Sequence, residues 1–216
     1  MQLEMEPNVP RQPRQPRPRH RQGLLFVLSA PSGTGKDTVI GMLKQQGMDF
    51  YLVASVTTRA PRPGESEGNP YHFVSQEEFD RLVAHDELLE YANVHGNWYG
   101  QPRQPIRDNL LAKRDVLLKI DVQGAATVRS KLPQAIFIFL IPESVEELTL
   151  RLNERSTETR EQLERRLADA QSELAQKDWY DYLVVNRQGQ PQEAVDYLRA
   201  IMLAEHCRTQ PRHIDI

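Results

Sequence analysis

The sequence predicts an α/β fold, a parallel-sheet core flanked by helices that carries an inserted lobe and a helical lid. Three observations predict it. From Gly23 onward, short apolar runs alternate with helical patterns, the arrangement of parallel strands joined by crossover helices. A glycine-rich loop ending in Lys36 follows the first apolar run and precedes a helical stretch. Between about residue 53 and residue 104 the texture changes to Arg, Pro, Gly and aromatics with weaker periodicity, which reads as an insertion.

Residues 1–22 come first and differ in kind. Pro7, Pro10, Pro13, Pro16 and Pro18 alternate with Arg11, Arg14, Arg17, Arg19 and Arg21, and nothing there can bury apolar surface, so a disordered, extended arm is expected. It is either a solvated tail or a weak attractor of nucleic acid and acidic partners. It lacks the apolar stretch of a signal peptide.

The strand candidates are Leu24 to Ser29, Asp115 to Ile120, Ala135 to Ile141 and Tyr182 to Val185, each too short and too uniformly apolar for a surface helix. Ser75 with Glu78, Ser144 with Glu147, and Thr159 with Gln162 have capping-box spacing, in which hydroxyl and later side chain satisfy orphan amides reciprocally. Pro191 suits the first turn of a last helix running to about Cys207. The charge-dense stretch Arg151 to Arg166 is either a solvated helical face or a mobile lid. The expected division is therefore a core of 23–52, 105–150 and 168–207, a lobe of about 53–104, a lid of about 151–167, and a tail of 208–216.

At 216 residues the chain suits one sizeable catalytic unit. A net charge of -3 argues against a dedicated nucleic-acid binder. The single cysteine, Cys207, suits a reducing compartment, and no apolar run approaches the ~18 residues of a membrane span. A cytoplasmic protein, monomer or homodimer, is expected.

The loop Ala30-Pro31-Ser32-Gly33-Thr34-Gly35-Lys36-Asp37-Thr38 carries the chemistry. A phosphate cradle needs glycines that let backbone N–H groups converge, a helix N-terminus behind them, and a lysine to reach the β and γ oxygens. This places the core in the P-loop NTPase type. Two positions depart from the usual pattern: Ala30 replaces the first glycine, and Asp37 replaces the hydroxyl residue that normally ligates Mg²⁺. A carboxylate beside a triphosphate makes sense either as a direct Mg²⁺ ligand or as half of an ion pair.

Arg59 and Arg62 lie three apart in extended or turned chain, where guanidinium forks suit a phosphate dianion that the hydroxyls of Tyr71 and Tyr99 could help grip. With Thr57-Thr58-Arg59-Ala60-Pro61-Arg62, Gly64-Glu65, Tyr71-His72-Phe73-Val74, Leu89-Glu90, Gly96-Asn97-Trp98-Tyr99-Gly100 and Ile120-Asp121-Val122-Gln123-Gly124, the chain resembles guanylate kinase over nearly all of residues 23 to 207. The resemblance continues through Arg151-Leu152, Arg165-Arg166-Leu167 and Val184-Val185-Asn186.

The resemblance implies phosphorylation of GMP, and of dGMP, to the diphosphate, with ATP and Mg²⁺ as co-substrates and ADP as the other product. It puts Arg59, Arg62, Tyr71 and Tyr99 on the GMP phosphate, Ser55, Glu90 and Asp121 near the guanine, Arg155 and Arg166 on the transferring group with Lys36, and Asn186 on the adenine side. Guanine offers N1–H and an exocyclic amine, so a carboxylate such as Glu90 reads it by accepting two hydrogen bonds. Gln101 stands where Ser or Thr is usual, and its amide could still meet guanine. Pro70 and Arg187 also depart from the pattern.

Lys119 stands where an acid is usual, while the loop gains one at Asp37. The end of that strand should lie beside the loop, so the exchange is either compensatory or two unrelated changes. Two other functions stay open: a ribose 1,5-bisphosphate kinase-like enzyme, against which the guanine-reading set argues, and a non-catalytic guanylate-kinase-like binding module, against which Lys36 and the lid arginines argue.

Overall fold

The computed structural model describes residues 23–94, 96–154 and 160–216; the arm of residues 1–22 lies outside them. In chain order the elements are β1 (Leu25–Ser29), α1 (Lys36–Gln45), β2 (Tyr51–Leu52), β3 (Ser55–Thr57), β4 (Ser66–Glu67), β5 (Pro70–Phe73), α2 (Gln76–Ala84), β6 (Leu88–Val94), β7 (Asn97–Pro102), α3 (Arg103–Leu111), β8 (Val116–Lys119), α4 (Val122–Lys131), β9 (Ile136–Ile141), α5 (Val145–Glu154), α6 (Arg160–Leu174), β10 (Tyr182–Val185) and α7 (Pro191–Glu205).

The core sheet has the order β10-β9-β1-β8-β2 and is parallel throughout. Side chains alternate across a strand, so β1 feeds two cores. Phe26 and Leu28 join Val39, Leu43 and Leu198 on the face covered by α1 and α7. Leu25 and Val27 join Ile106, Val128 and Phe137 on the face covered by α3 and α4. A central strand buried on both faces reads as a continuous apolar run, which is why it was visible in the sequence. The edge strand β2 is two residues long and was not anticipated.

The inserted stretch forms a second sheet, β4-β5-β3-β7-β6, in which β7 runs antiparallel to both neighbours. Val56, Phe79 and Leu88 form its small core, with Trp98 packed against them. Leu148 and Leu152 of α5 meet Ala170 and Leu167 of α6 in another cluster.

The capping boxes form only in part. Glu78 N–H donates to Ser75 Oγ at 3.1 Å, but the Glu78 carboxylate turns to Arg81. Glu147 N–H donates to Ser144 Oγ at 3.1 Å, and its carboxylate accepts from the Glu143 N–H, one residue before the cap. Thr159 lies outside the described residues. The last helix begins at Pro191 as expected and ends at Glu205. Residues 208–216 hold no helix or strand, yet Arg212 donates to the buried Glu205 at 3.0 Å and Ile214 and Ile216 pack on the core.

Candidate active site

β1 ends at Ser29 and β8 at Lys119, side by side, with Leu28 in register with Lys119. The loop of residues 30–35 therefore opens at the carboxyl end of the sheet, where ligands of open α/β sheets bind. Gly33 and Gly35 have φ of +87° and +94°, a region that L side chains rarely adopt. Space demands glycine as well, since a Cβ at Gly33 would lie 2.7 Å from Leu152 Cδ2 and one at Gly35 2.7 Å from Asn186 Nδ2.

Thr34 is buried, and its carbonyl accepts from Arg151 Nη1 at 3.0 Å and Asn186 Nδ2 at 2.7 Å. Arg151 also donates to the Asn186 carbonyl at 2.6 Å and pairs with Glu147. Helix α5 and the end of β10 thus clamp the loop from behind. A cavity of about 200 Å³ lies beside them, lined by Gly35, Thr38, Asn186 and Arg187 among others. Arg187 itself pairs with Glu143 and Glu193.

Lys36 Nζ donates to the Ala30 carbonyl at 2.5 Å. Burial is the main influence on its ammonium and pulls it down to about 8, against the attraction of Glu173. Arg166 Nη2 donates to Ser32 Oγ at 2.8 Å, so α6 already reaches the loop. Arg155 lies outside the described residues. Asp37, exposed at the head of α1, accepts from Lys119 Nζ at 2.7 Å. Burial opposes charge on Lys119, but Tyr71 and Asp37 at close range outweigh it and hold the ammonium above the ordinary lysine value.

The second sheet brings the residues expected to bind the acceptor into one row. Ser55 is in register with Tyr71 on β5, Val56 faces Gly100 on β7, and Glu90 faces Gln101. Gln101 Nε2 donates to Ser55 Oγ at 2.5 Å, and both residues are buried. Glu90 is 2% exposed. Its Oε2 and the Gln101 Oε1 are buried with no hydrogen-bond partner among the described residues, and both side chains line the same cavity. Such groups are costly unless a ligand satisfies them. Desolvation, reinforced by Asp121 and opposed by Lys131, pushes the Glu90 carboxyl up to about 8.

Asp121 caps α4, its Oδ1 accepting from Gly124 N–H at 2.8 Å. A Cβ at Gly124 would sit 2.6 Å from Glu90 Oε2. Gly124→Ala is therefore expected to displace the Glu90 side chain and cost ~1–3 kcal/mol of stability, the usual range for overpacking, which a thermal melt checks.

Arg59 Nη2 donates to both Glu65 carboxylate oxygens at 2.9 Å, Nε donates to Tyr99 Oη at 3.2 Å, and the guanidinium lies over the Tyr71 ring at 5.4 Å. Burial opposes ionisation of Glu65, but the Arg62 N–H and the Arg59 guanidinium hold its carboxyl below the usual range. Arg59, Tyr71 and Tyr99 are thus gathered, whereas Arg62 is exposed on the loop and gives its backbone N–H to Glu65 at 2.7 Å. A cavity of about 270 Å³ joins the two halves, lined by Lys36, Asp37, Tyr71, Glu90, Lys119 and Asp121 among others.

Sequence reasoning assigned no role to Arg151, Glu65 or Glu173. Glu173 lies in the same cavity, its carboxyl pushed up to about 7, chiefly by desolvation and against the pull of Lys36. It follows Arg166 by seven residues, two helical turns along one face, which is the signal that could have found it.

For Mg²⁺ the donor set fits. Among the described residues no cluster of three or more His, Cys, Asp or Glu could cage a metal alone, but one carboxylate beside a triphosphate is the ordinary Mg²⁺ environment. Asp37 keeps acceptor capacity after its bond to Lys119, because an ionised carboxylate has about four lone-pair sites.

The Guanylate kinase family profile matches residues 22–205. "Guanylate kinase" of Dechloromonas aromatica is 50% identical over 84% of this chain and 89% of its own length. "Guanylate kinase" of Caldanaerobacter subterraneus subsp. tengcongensis is 44% identical over 87% of this chain and 90% of its own. The crystal structure of guanylate kinase from Anaplasma phagocytophilum superposes with a TM-score of 0.72 at 35% identity, covering 88% and 89% of the two chains. With a phosphate loop opening into a cavity lined by Lys36 and Glu90, and matches that span most of both chains, this protein belongs to the guanylate kinase family.

Proposed function

We propose that this chain transfers the γ-phosphoryl group of ATP to GMP, and to dGMP, forming ADP and the diphosphate in purine nucleotide metabolism. The observation that carries the choice of acceptor is Glu90. It is a buried carboxylate with an unsatisfied oxygen at the floor of the cavity that also holds Lys36, and guanine supplies the donor pair it lacks. A ribose bisphosphate offers only its two ring hydroxyls, whose O–H donors rotate and lack the fixed, coplanar geometry of the guanine N1–H and amine pair.

A GMP phosphate has a second pKa near ~6, so at neutral pH its oxygen is already a largely deprotonated nucleophile and no general base is required. That oxygen attacks the γ-phosphorus, the bond to the β–γ bridging oxygen breaks, and its electron pair leaves with ADP. The protein's part is alignment and charge neutralisation. The loop N–H groups and Lys36 hold the donor phosphates. Arg59, Tyr71 and Tyr99 hold the acceptor phosphate, with Arg62 joining them if its loop closes. Ser55, Gln101, Glu90 and Asp121 hold the base, and Asn186 borders the adenine cavity. Arg166, with Arg155 beyond the described residues, neutralises the transferring group from the lid. Mg²⁺, held by Asp37 and the phosphates, would draw charge from the β and γ oxygens. Core, acceptor lobe and lid divide these tasks, and closure of the lid excludes water.

No helix among the described residues is long and apolar enough to cross a membrane. Cys207 is a free thiol, in keeping with the reducing cytoplasm.

The test is ADP formation from ATP and Mg²⁺ with GMP, AMP, UMP or ribose 1,5-bisphosphate offered separately. GMP alone should turn over well. Turnover with the ribose bisphosphate would move the function to that class, and a folded protein that binds GMP without turnover would be a binding module.

A further inference from the structure

Lys119 stands between the phosphate loop and the acceptor row. It ends β8 beside the phosphate loop, its Nζ meets Asp37 at 2.7 Å, and the same nitrogen lies 5.2 Å from the centre of the Tyr71 ring. Asp37 belongs to the donor loop and Tyr71 to the acceptor row, and all three line the joint cavity. Asp37 is 85% exposed and Lys119 12%. The ammonium is therefore the fixed member and the carboxylate the accessible one.

We propose that Lys119 couples the two sites: paired with Asp37 while the donor site is empty, it is released toward the acceptor phosphate when a magnesium nucleotide engages the Asp37 carboxylate. The physical step is electrostatic. An ammonium hydrogen-bonded to a carboxylate presents a dipole, whose field falls quickly. Once the carboxylate is neutralised by a divalent cation, the ammonium presents a full charge beside Tyr71, at a range where such charges count for most. Three N–H donors let it keep one partner while gaining another. Binding of the magnesium nucleotide then strengthens acceptor binding, and the effect is reciprocal. This rests on the acceptor assignment above.

The experiment is calorimetric titration of GMP into the full chain, with and without adenylyl imidodiphosphate and Mg²⁺. In the wild type the analogue with Mg²⁺ should tighten GMP binding about 5- to 10-fold, at the low end of ordinary couplings. With excess EDTA it should not tighten it. Asp37→Ser frees the ammonium permanently, so it should bind GMP about 5-fold more tightly than wild type with no nucleotide present, and gain nothing further from the analogue. Lys119→Met should bind GMP about 10-fold more weakly than wild type in the ternary complex, and Lys119→Arg should recover most of that.

A structural role for the pair would loosen both sites without reversing sign at Asp37. Unchanged or weaker nucleotide-free GMP binding in Asp37→Ser would overturn the coupling, as would wild-type ternary affinity in Lys119→Met. If Lys119→Met does not fold, the exposed Asp37 variant still decides. A wild type that ignores GMP but binds ribose 1,5-bisphosphate overturns the acceptor assignment instead, and the sign of the Asp37→Ser effect is then read with that acceptor.

Discussion

Lys36→Met is expected to lower kcat about 1,000-fold, the upper range for losing one preorganised charge on a transferring group, while leaving the fold at least as stable as the wild type. Lys36 sits at the head of α1 with its ammonium on the Ala30 carbonyl, partly buried and held down to about 8. A lysine whose value is depressed in the folded state binds fewer protons there than in the unfolded chain between about pH 8 and its ordinary value. Its charge is a cost to the apo protein at neutral pH, which the donor phosphates offset only when bound. A thioether of similar length removes the cost and the catalysis together. ADP formation and a thermal melt separate the two effects; a variant that loses activity only because it unfolds would contradict the assignment.

Glu90→Gln is expected to lower kcat/KM for GMP about 100-fold or more, because a site built to pair with polar groups rejects a mismatched partner strongly. The amide replaces one acceptor with a donor that faces the guanine donors. Without ligand the sign reverses. The Glu90 carboxyl is raised to about 8 in the folded protein, so between its ordinary value and about pH 8 the native state holds a proton that the unfolded chain releases. Stability contributed by that group therefore falls as pH rises through the window, and Glu90→Gln should abolish the fall. GMP binding by the wild type should tighten as pH rises toward about 8, with release of a proton. Calorimetry in buffers of different ionisation enthalpy reads the proton directly, and a melt series across the same pH range reads the stability.

Much of the core was legible because its signals are contiguous. The central strands β1, β8 and β9 are buried on both faces and stand out as unbroken apolar runs, and the residues that make the phosphate loop are neighbours in the chain. The second sheet was not legible as strands. β5 is partly exposed along its whole length, β4 is two exposed residues, and β6 is buried only in its first half. Weak alternation of that kind is hard to distinguish from loop, and strand pairing rather than local preference sets the structure.

The same reason governs the site. Glu90, Gln101 and Ser55 are brought together by register across three strands, and Gly124 is required by a carboxylate 34 positions earlier in the chain. No spacing rule announces such proximity. The contact between Asp37 and Lys119 could be anticipated because both departed from a known pattern in complementary directions. Arg62 shows the opposite case: its spacing from Arg59 suggested a joint phosphate grip, but Glu65 holds the loop by the Arg62 backbone and leaves the side chain outside.

The most direct measurement is kcat/KM of the wild type for GMP against IMP, which differs from GMP only in lacking the exocyclic amine. If Glu90 selects the acceptor by accepting from N1–H and that amine, IMP should be used about 100-fold less efficiently or worse. Equal use of the two would show that the carboxylate at the floor of the pocket does not read the base, and would contradict the assignment of guanine to this site.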